Sequence, residues 1–164
     1  MRGVCYDEKK NDDVLKNSEI RSAVSGALSN CGMSGQKLEW VGYDACLMAV
    51  QDIAITNAEY FNYMIASEES EAGYGWDYDT WVDDLYSKKT TTTILKAIVD
   101  GFIADNGGAN SSSGDQTLSY MNLSYASAYK TVSNNPGLCC RNFMRYPGTV
   151  SLRYFGMVYK SSTL

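Results

Sequence analysis

Cys46 stands in the stretch EWVGYDACLMAV (39–50), two residues after the carboxylate of Asp44 and at the seam between an apolar run and a helix-like pattern. A thiol so placed is a candidate nucleophile. A cysteine nucleophile acts as its thiolate, and needs a base to form it and an acid to protonate the leaving group. At the unperturbed pKa of about 8.5, only a few per cent of a thiol is ionised at neutral pH. Histidine normally shifts that balance and delivers the proton, yet the chain contains no histidine.

The other thiols narrow the chemistry further. Cys5, Cys31, Cys139 and Cys140 are read as small buried hydrophobes, the usual state of a free cysteine. None of the five belongs to a CxxC pair, and without histidine a zinc site is not expected. An odd number leaves at least one thiol free, and the redox compartment stays open.

Acidic residues form the second chemically loaded group. Glu68 and Glu69 end the run FNYMIASEE (61–69), and Glu71 opens the glycine- and aromatic-rich SEAGYGWDYD (70–79). Which of the three points inward is open. Gly73 and Gly75 mark either a structural turn or a wall that lets backbone approach a ligand. Asp77, Asp79, Asp83 and Asp84 lack the spacing of a calcium-binding helix–loop–helix and read as a solvated helix start. No cofactor is required by the sequence. Asp44 itself suits the cap of a following helix.

These residues need elements to hold them. NSEIRSAVSGALSNCG (17–32) predicts a helix capped by Asn17 or Ser18, with Ile20, Ala23, Val24, Ala27, Leu28 and Cys31 on its apolar face and Gly32 as its stop. LEWVGYDA (38–45) reads as a buried strand with Cys46 at its carboxyl end. A helix is expected from Leu47, with Leu47, Val50, Ala54 and Ala58 inward, which would put Cys46 at a helix N-terminus where partial positive charge favours thiolate. FNYMIA (61–66) is a second strand, and a short helix is expected around Trp81 to Tyr86. The apolar spacing of Ile94, Leu95, Ile98, Val99, Phe102 and Ile103 marks a strongly amphipathic helix. NGGANSSSGD (106–115) is a connector, QTLSYMNLS (116–124) a third strand, and YASAYKTVSNN (125–135) the opening of another helix. Alternating strands and helices predict an α/β layered fold with a mostly parallel sheet. Ligands of such sheets sit beyond the carboxyl ends of the strands, the rim that carries Cys46, Glu68 and Glu69.

Composition sets the outer bounds. The 45% hydrophobic and 20% charged content is that of a folded domain rather than a disordered chain. A net charge of −5 argues against a nucleic-acid footprint. No apolar run is long enough to span a bilayer, and MRGVCYDEKKNDD (1–13) has no apolar core of a signal peptide. Three readable strands fall short of the ~5–6 typical of a sheet. Residues 134–164 differ from the rest: four basic residues (Arg141, Arg145, Arg153, Lys160) and no acid, against ten basic and nineteen acidic before them. Residues 1–133 are therefore read as a partial domain, and 134–164 as an atypical basic tail, non-native in sequence or poorly ordered.

In order along the chain, RGVCYDE (2–8), GYDACLM (42–48), ASEE (66–69) and EAGYGWDYD (71–79) resemble the clostripain family of cysteine peptidases over about Arg2 to Lys130. Each motif is weak alone; their order and spacing make the set specific. The resemblance implies an incomplete caspase-like three-layer α/β sandwich, a Cys/His dyad and cleavage after Arg or Lys. Cys46 matches the nucleophile. Asp44 matches an acid that helps form the pocket for a basic side chain, where a carboxylate would meet a guanidinium through paired hydrogen bonds, and Glu68 and Glu69 are candidates to share that duty. Calcium binding, an extracellular or cell-envelope location and processing near Lys9, Lys10 and Lys16 are family-level expectations. The resemblance places the dyad histidine, its oxyanion-hole glycine and the first strands ahead of Arg2, so this chain alone is expected to be inactive. Its expected partners are a protein or peptide substrate carrying Arg or Lys and the N-terminal part of the same enzyme, with no nucleic acid or membrane. The alternatives are a non-catalytic basic-peptide binder on the same fold and a non-functional gene remnant, which an exposed sheet edge would favour.

Overall fold

The computed structural model describes residues 4–11, 13–71, 73–106 and 116–126. The basic tail and the helix expected beyond Tyr125 lie almost entirely outside them, as do Cys139 and Cys140. The described elements are strands β1 (Tyr6–Asp7) and β2 (Asp13–Val14), helix α1 (Asn17–Asn30), β3 (Leu38–Gly42), α2 (Gln51–Asn57), β4 (Phe61–Ala66), α3 (Val82–Tyr86), α4 (Thr91–Asn106) and β5 (Ser119–Asn122). β1 and β2 make a small antiparallel hairpin; the main sheet runs β3-β4-β5.

β4 is the centre of that sheet because it alone is apolar on both faces. Met64 and Ala66 point into a core completed by Tyr43, Met48, Ile53, Ala54, Met121 and Leu123, against which Ile20 and Val24 of α1 pack. Ile65 points the other way, into Trp76, Trp81, Ile94, Leu95, Ile98, Val99 and Phe102. The period-2 alternation of a strand thus feeds two helical layers, α1 and α2 on one face and α4 on the other. The five apolar positions that begin α4's stripe, Ile94 to Phe102, are all buried as the helical spacing predicts.

The sheet is mixed. β3 pairs with β4 in parallel, Trp40 opposite Tyr63 and Val41 opposite Met64. β5 returns antiparallel, Met121 opposite Met64, so parallel pairing holds for the first of the two ladders only. β3 is not the buried strand expected: Leu38, Glu39 and Gly42 are exposed, because it forms an edge among the described residues.

Helix α1 begins without either expected cap. The residue before its first turn is Lys16, whose N–H donates to Glu19 Oε2 at 2.8 Å. Only Leu28 of its apolar face is fully buried; Ala23, Ala27 and Cys31 are exposed.

Candidate functional site

After β3 the chain does not enter a helix. Residues 45–47 bend and turn, 48–50 belong to no helix or strand, with Val50 extended, and α2 begins only at Gln51. The cause lies in the neighbouring loop. The N–H groups of Tyr43, Leu47 and Ala49 donate to the carbonyls of Ile65, Glu69 and Ser67, at 3.0, 3.0 and 2.8 Å. Backbone donors engaged this way cannot lie free at a helix start, and Leu47 takes a left-handed φ of 61°. Cys46 is therefore not at a helix N-terminus, and the expected dipole assistance to its thiolate is absent. The inward stripe moves with the helix: Leu47 and Val50 are exposed, while Ile53, Ala54 and Asn57 are buried.

What stands beside the thiol instead is the backbone of Glu71, whose N–H donates to Cys46 Sγ at 3.2 Å. The S–H faces the Glu71 carbonyl at 3.8 Å. Cys46 is exposed, which sets it apart from the buried hydrophobe that most free cysteines are. Cys5 and Cys31 are also exposed and free, contrary to the buried state expected of them. Cys5 lies beside the two-residue strand β1, and Cys31 follows the last turn of α1, so neither position is covered by a helical layer.

The loop that carries Glu71 is built on Ser67. This serine is fully buried, and its hydroxyl accepts the Glu69 N–H at 3.0 Å. Thr117, just before β5, accepts the Glu68 and Glu69 N–H groups, both at 3.2 Å. The ASEE motif is thus a folded-back strand end pinned by two hydroxyls. Glu68 Oε1 accepts from the Ser119 hydroxyl at 2.6 Å, and Glu69 is exposed.

Asp44 does not cap α2, which starts seven residues further on. Its Oδ2 accepts the Trp76 N–H at 3.2 Å and the Tyr78 hydroxyl at 3.0 Å. Gly75 passes so close that a Cβ there would lie 2.6 Å from Oδ2, and its φ is +70°. Trp76, 6% exposed, folds its ring over Gly42 of β3, where a Cβ would meet the ring at 2.8 Å. The glycines therefore shape the wall around Asp44 from both sides. Beside that wall lies Glu71, both of whose carboxylate oxygens are buried without a hydrogen-bond partner among the described residues. Burial above all, then the neighbouring Asp44 carboxylate, pushes the Glu71 carboxyl up from its ordinary 4.5 to about 8, with the Trp76 side chain opposing. Burial, and then Asp44, also raises the Tyr78 phenol.

The structure thus gathers Cys46, Asp44 and Glu71 at one rim, with Tyr78 and the Trp76 amide serving Asp44. Among the three glutamates left open by sequence, Glu71 is the one coupled to Asp44. The tyrosine's role had no sequence signal beyond the aromatic character of its loop. Among the described residues no group of three His, Cys, Asp or Glu side chains is arranged to hold a metal ion. Asp77 bonds the Asp79 N–H, and Asp84 pairs with Lys89 at 2.8 Å. No described helix is long and apolar enough to cross a membrane.

A clostripain from Bacteroides thetaiotaomicron, solved in complex with the peptide inhibitor BTN-VLTK-AOMK, superposes with a TM-score of 0.58 at 20% identity, over 77% of this chain and 51% of its own. A secreted C11 cysteine protease of the same organism, bound to an irreversible peptide inhibitor, gives 0.60 at 17% identity, over 79% and 36%. A B. fragilis cysteine protease gives 0.57 at 18%, over 75% and 49%. The chain spans at most about half the length of these structures. At such identities the likeness speaks for the fold, which is the caspase-like three-layer architecture of these proteases. No curated protein matches. The sequence profile of the clostripain family matches residues 1–135, most of the chain and all of its described residues, and the chain belongs to the clostripain family of cysteine peptidases.

Proposed function

We propose that this chain is the nucleophile-bearing segment of a clostripain-like cysteine endopeptidase that cleaves after Arg or Lys. The observation that carries the reading is the exposed Cys46 thiol on the same rim as the Asp44 carboxylate, two residues away and held by the Trp76 N–H and the Tyr78 hydroxyl. Cys46 Sγ attacks the scissile carbonyl, and the negative charge of Asp44 receives the basic side chain on its amino-terminal side. Glu68 and Glu69 add their charge to this rim, Glu68 with one oxygen held by Ser119. The inhibitor of the B. thetaiotaomicron clostripain carries the peptide VLTK, ending in K, which agrees with a basic preference.

Histidine is not among the 164 residues, so the proton transfer that completes turnover falls to a base from outside them. The chain by itself labels but does not turn over. Substrates are proteins or peptides, and the working location is extracellular, as for the relatives described as secreted. Calcium dependence is a separate family-level proposal, tested by adding EDTA to the labelling reaction.

The deciding experiment is intact-mass labelling of the reduced chain with peptidyl acyloxymethyl ketones ending in Lys or in Leu. A single adduct at Cys46, faster with Lys than with Leu and lost in Cys46→Ala, supports the reading. Equal labelling of Cys5, Cys31 and Cys46 by both probes would mean that Cys46 is an ordinary surface thiol.

A further inference from the structure

Glu71 has no task in the chemistry assigned above, yet its backbone touches the nucleophile and its side chain lies beside the pocket acid. The two acids are unequal in a way that geometry explains. Asp44 is exposed and its carboxylate has two donors, which suits a standing negative charge. Both Glu71 oxygens are shielded from solvent and meet no partner in hydrogen-bond geometry among the described residues, and the Trp76 indole N–H that acts on them is likewise unpartnered. A second anion there would be desolvated, unpaired and repelled by Asp44, the conditions under which a carboxyl keeps its proton. The titratable group acting on it is Asp44; Glu71 in turn acts on the Tyr78 phenol, and the Cys46 thiol lies against its backbone. No described lysine or arginine forms an ion pair with either acid.

A cation changes this arrangement, because a guanidinium or ammonium supplies both the missing donors and the opposing charge. We propose that Glu71 is a specificity residue that is uncharged in the empty site and ionises when the cationic side chain of a substrate reaches the Asp44–Glu71 pair, so that recognition of Arg or Lys releases one proton. This rests on the basic-side-chain reading of the site. In the step, the O–H bond of Glu71 breaks, the proton passes to a buffer base, and two carboxylates then face one cation. The carboxyl position near 8 puts the coupling in the neutral range.

The test is calorimetric titration of the reduced wild-type chain with Nα-acetyl-arginine methylamide, at pH 7 in phosphate and in Tris, whose ionisation enthalpies differ. The expected release is about 0.9 proton per ligand, the protonated fraction of a group with pKa about 8 at pH 7. Affinity should rise by about 10-fold per pH unit as the pH approaches 7 from below. Glu71→Gln should bind without release and with a flat profile, whereas Cys46→Ala should keep the release. Wild-type binding without proton release overturns the inference and leaves the basic-side-chain reading standing. So does release that persists in Glu71→Gln or vanishes in Cys46→Ala. Failure of the arginine ligand to bind, or equal binding of the uncharged citrulline analogue, overturns both. Should Glu71→Gln not fold, the wild-type proton count decides alone.

Discussion

Asp44 and Gly75 are in direct contact: a Cβ built on Gly75 would stand 2.6 Å from Asp44 Oδ2 and 2.8 Å from Oδ1. Gly75 is also held at a φ of +70°. Any side chain there meets both a steric wall and an unfavourable backbone. Gly75→Ala is expected to cost about 1–3 kcal/mol from backbone strain alone and to displace Asp44. Gly73, with nothing within 4 Å of its would-be Cβ, is the control. Thermal melting and Lys-probe labelling of the two variants check this; equal behaviour would show that the contact does not shape the pocket.

Removing the Asp44 charge should act on selectivity rather than on the thiol. A hydrogen bond to a charged group contributes about 1.5–3 kcal/mol, so Asp44→Asn should slow Cys46 labelling by the Lys probe by about 10- to 100-fold. Labelling by the Leu probe should hold steady. A parallel loss with both probes would place the effect on loop structure instead.

Glu71 also makes the fold sensitive to pH. Its folded-state pKa, about 8, lies above the ordinary 4.5. The stability associated with the neutral carboxyl is therefore fully present at acid pH, declines as pH rises past the ordinary value, and is gone above about 8. Glu71→Gln abolishes this dependence. The group is only half-buried, so solvent screening reduces the effect; an advantage of about 2–4 °C in melting temperature for the variant at pH 8.5, vanishing at pH 4, is the expected scale. A constant offset at both pH values would assign the change to packing.

Buried Asn57 ties α2 to the residue after β3: its Nδ2 donates to the Tyr43 hydroxyl at 2.9 Å. Tyr43→Phe leaves that amide short of a partner in a closed core. The expected loss is about 1–3 kcal/mol, read from denaturant midpoints, with the Cys46 labelling rate changed little. A neutral substitution would mean that the amide finds another acceptor.

Sequence determined a good deal here because local pattern and tertiary need coincide. The stripe from Ile94 to Phe102 reads as a helix with one face in a core, and FNYMIA as a strand; both are found so. The order of GYDACLM, ASEE and the glycine–aromatic loop placed the chain in its family and brought Asp44 and Cys46 to the right strand end. The segment from Leu47 to Val50 failed to follow its pattern, because its apolar spacing fits a helix but its N–H groups are taken by Glu69 and Ser67 across the rim. Such competition between local and distant acceptors is invisible along the chain. The direction of β5 was equally hidden, since residues that alternate look alike whether the ladder runs parallel or antiparallel. Only tertiary structure showed that, of Glu68, Glu69 and Glu71, it is Glu71 that interacts with Asp44. A carboxylate acquires its charge state from what surrounds it in three dimensions, and of the three it is Glu71 whose oxygens are buried without a hydrogen-bond partner among the described residues and whose neighbour is another acid.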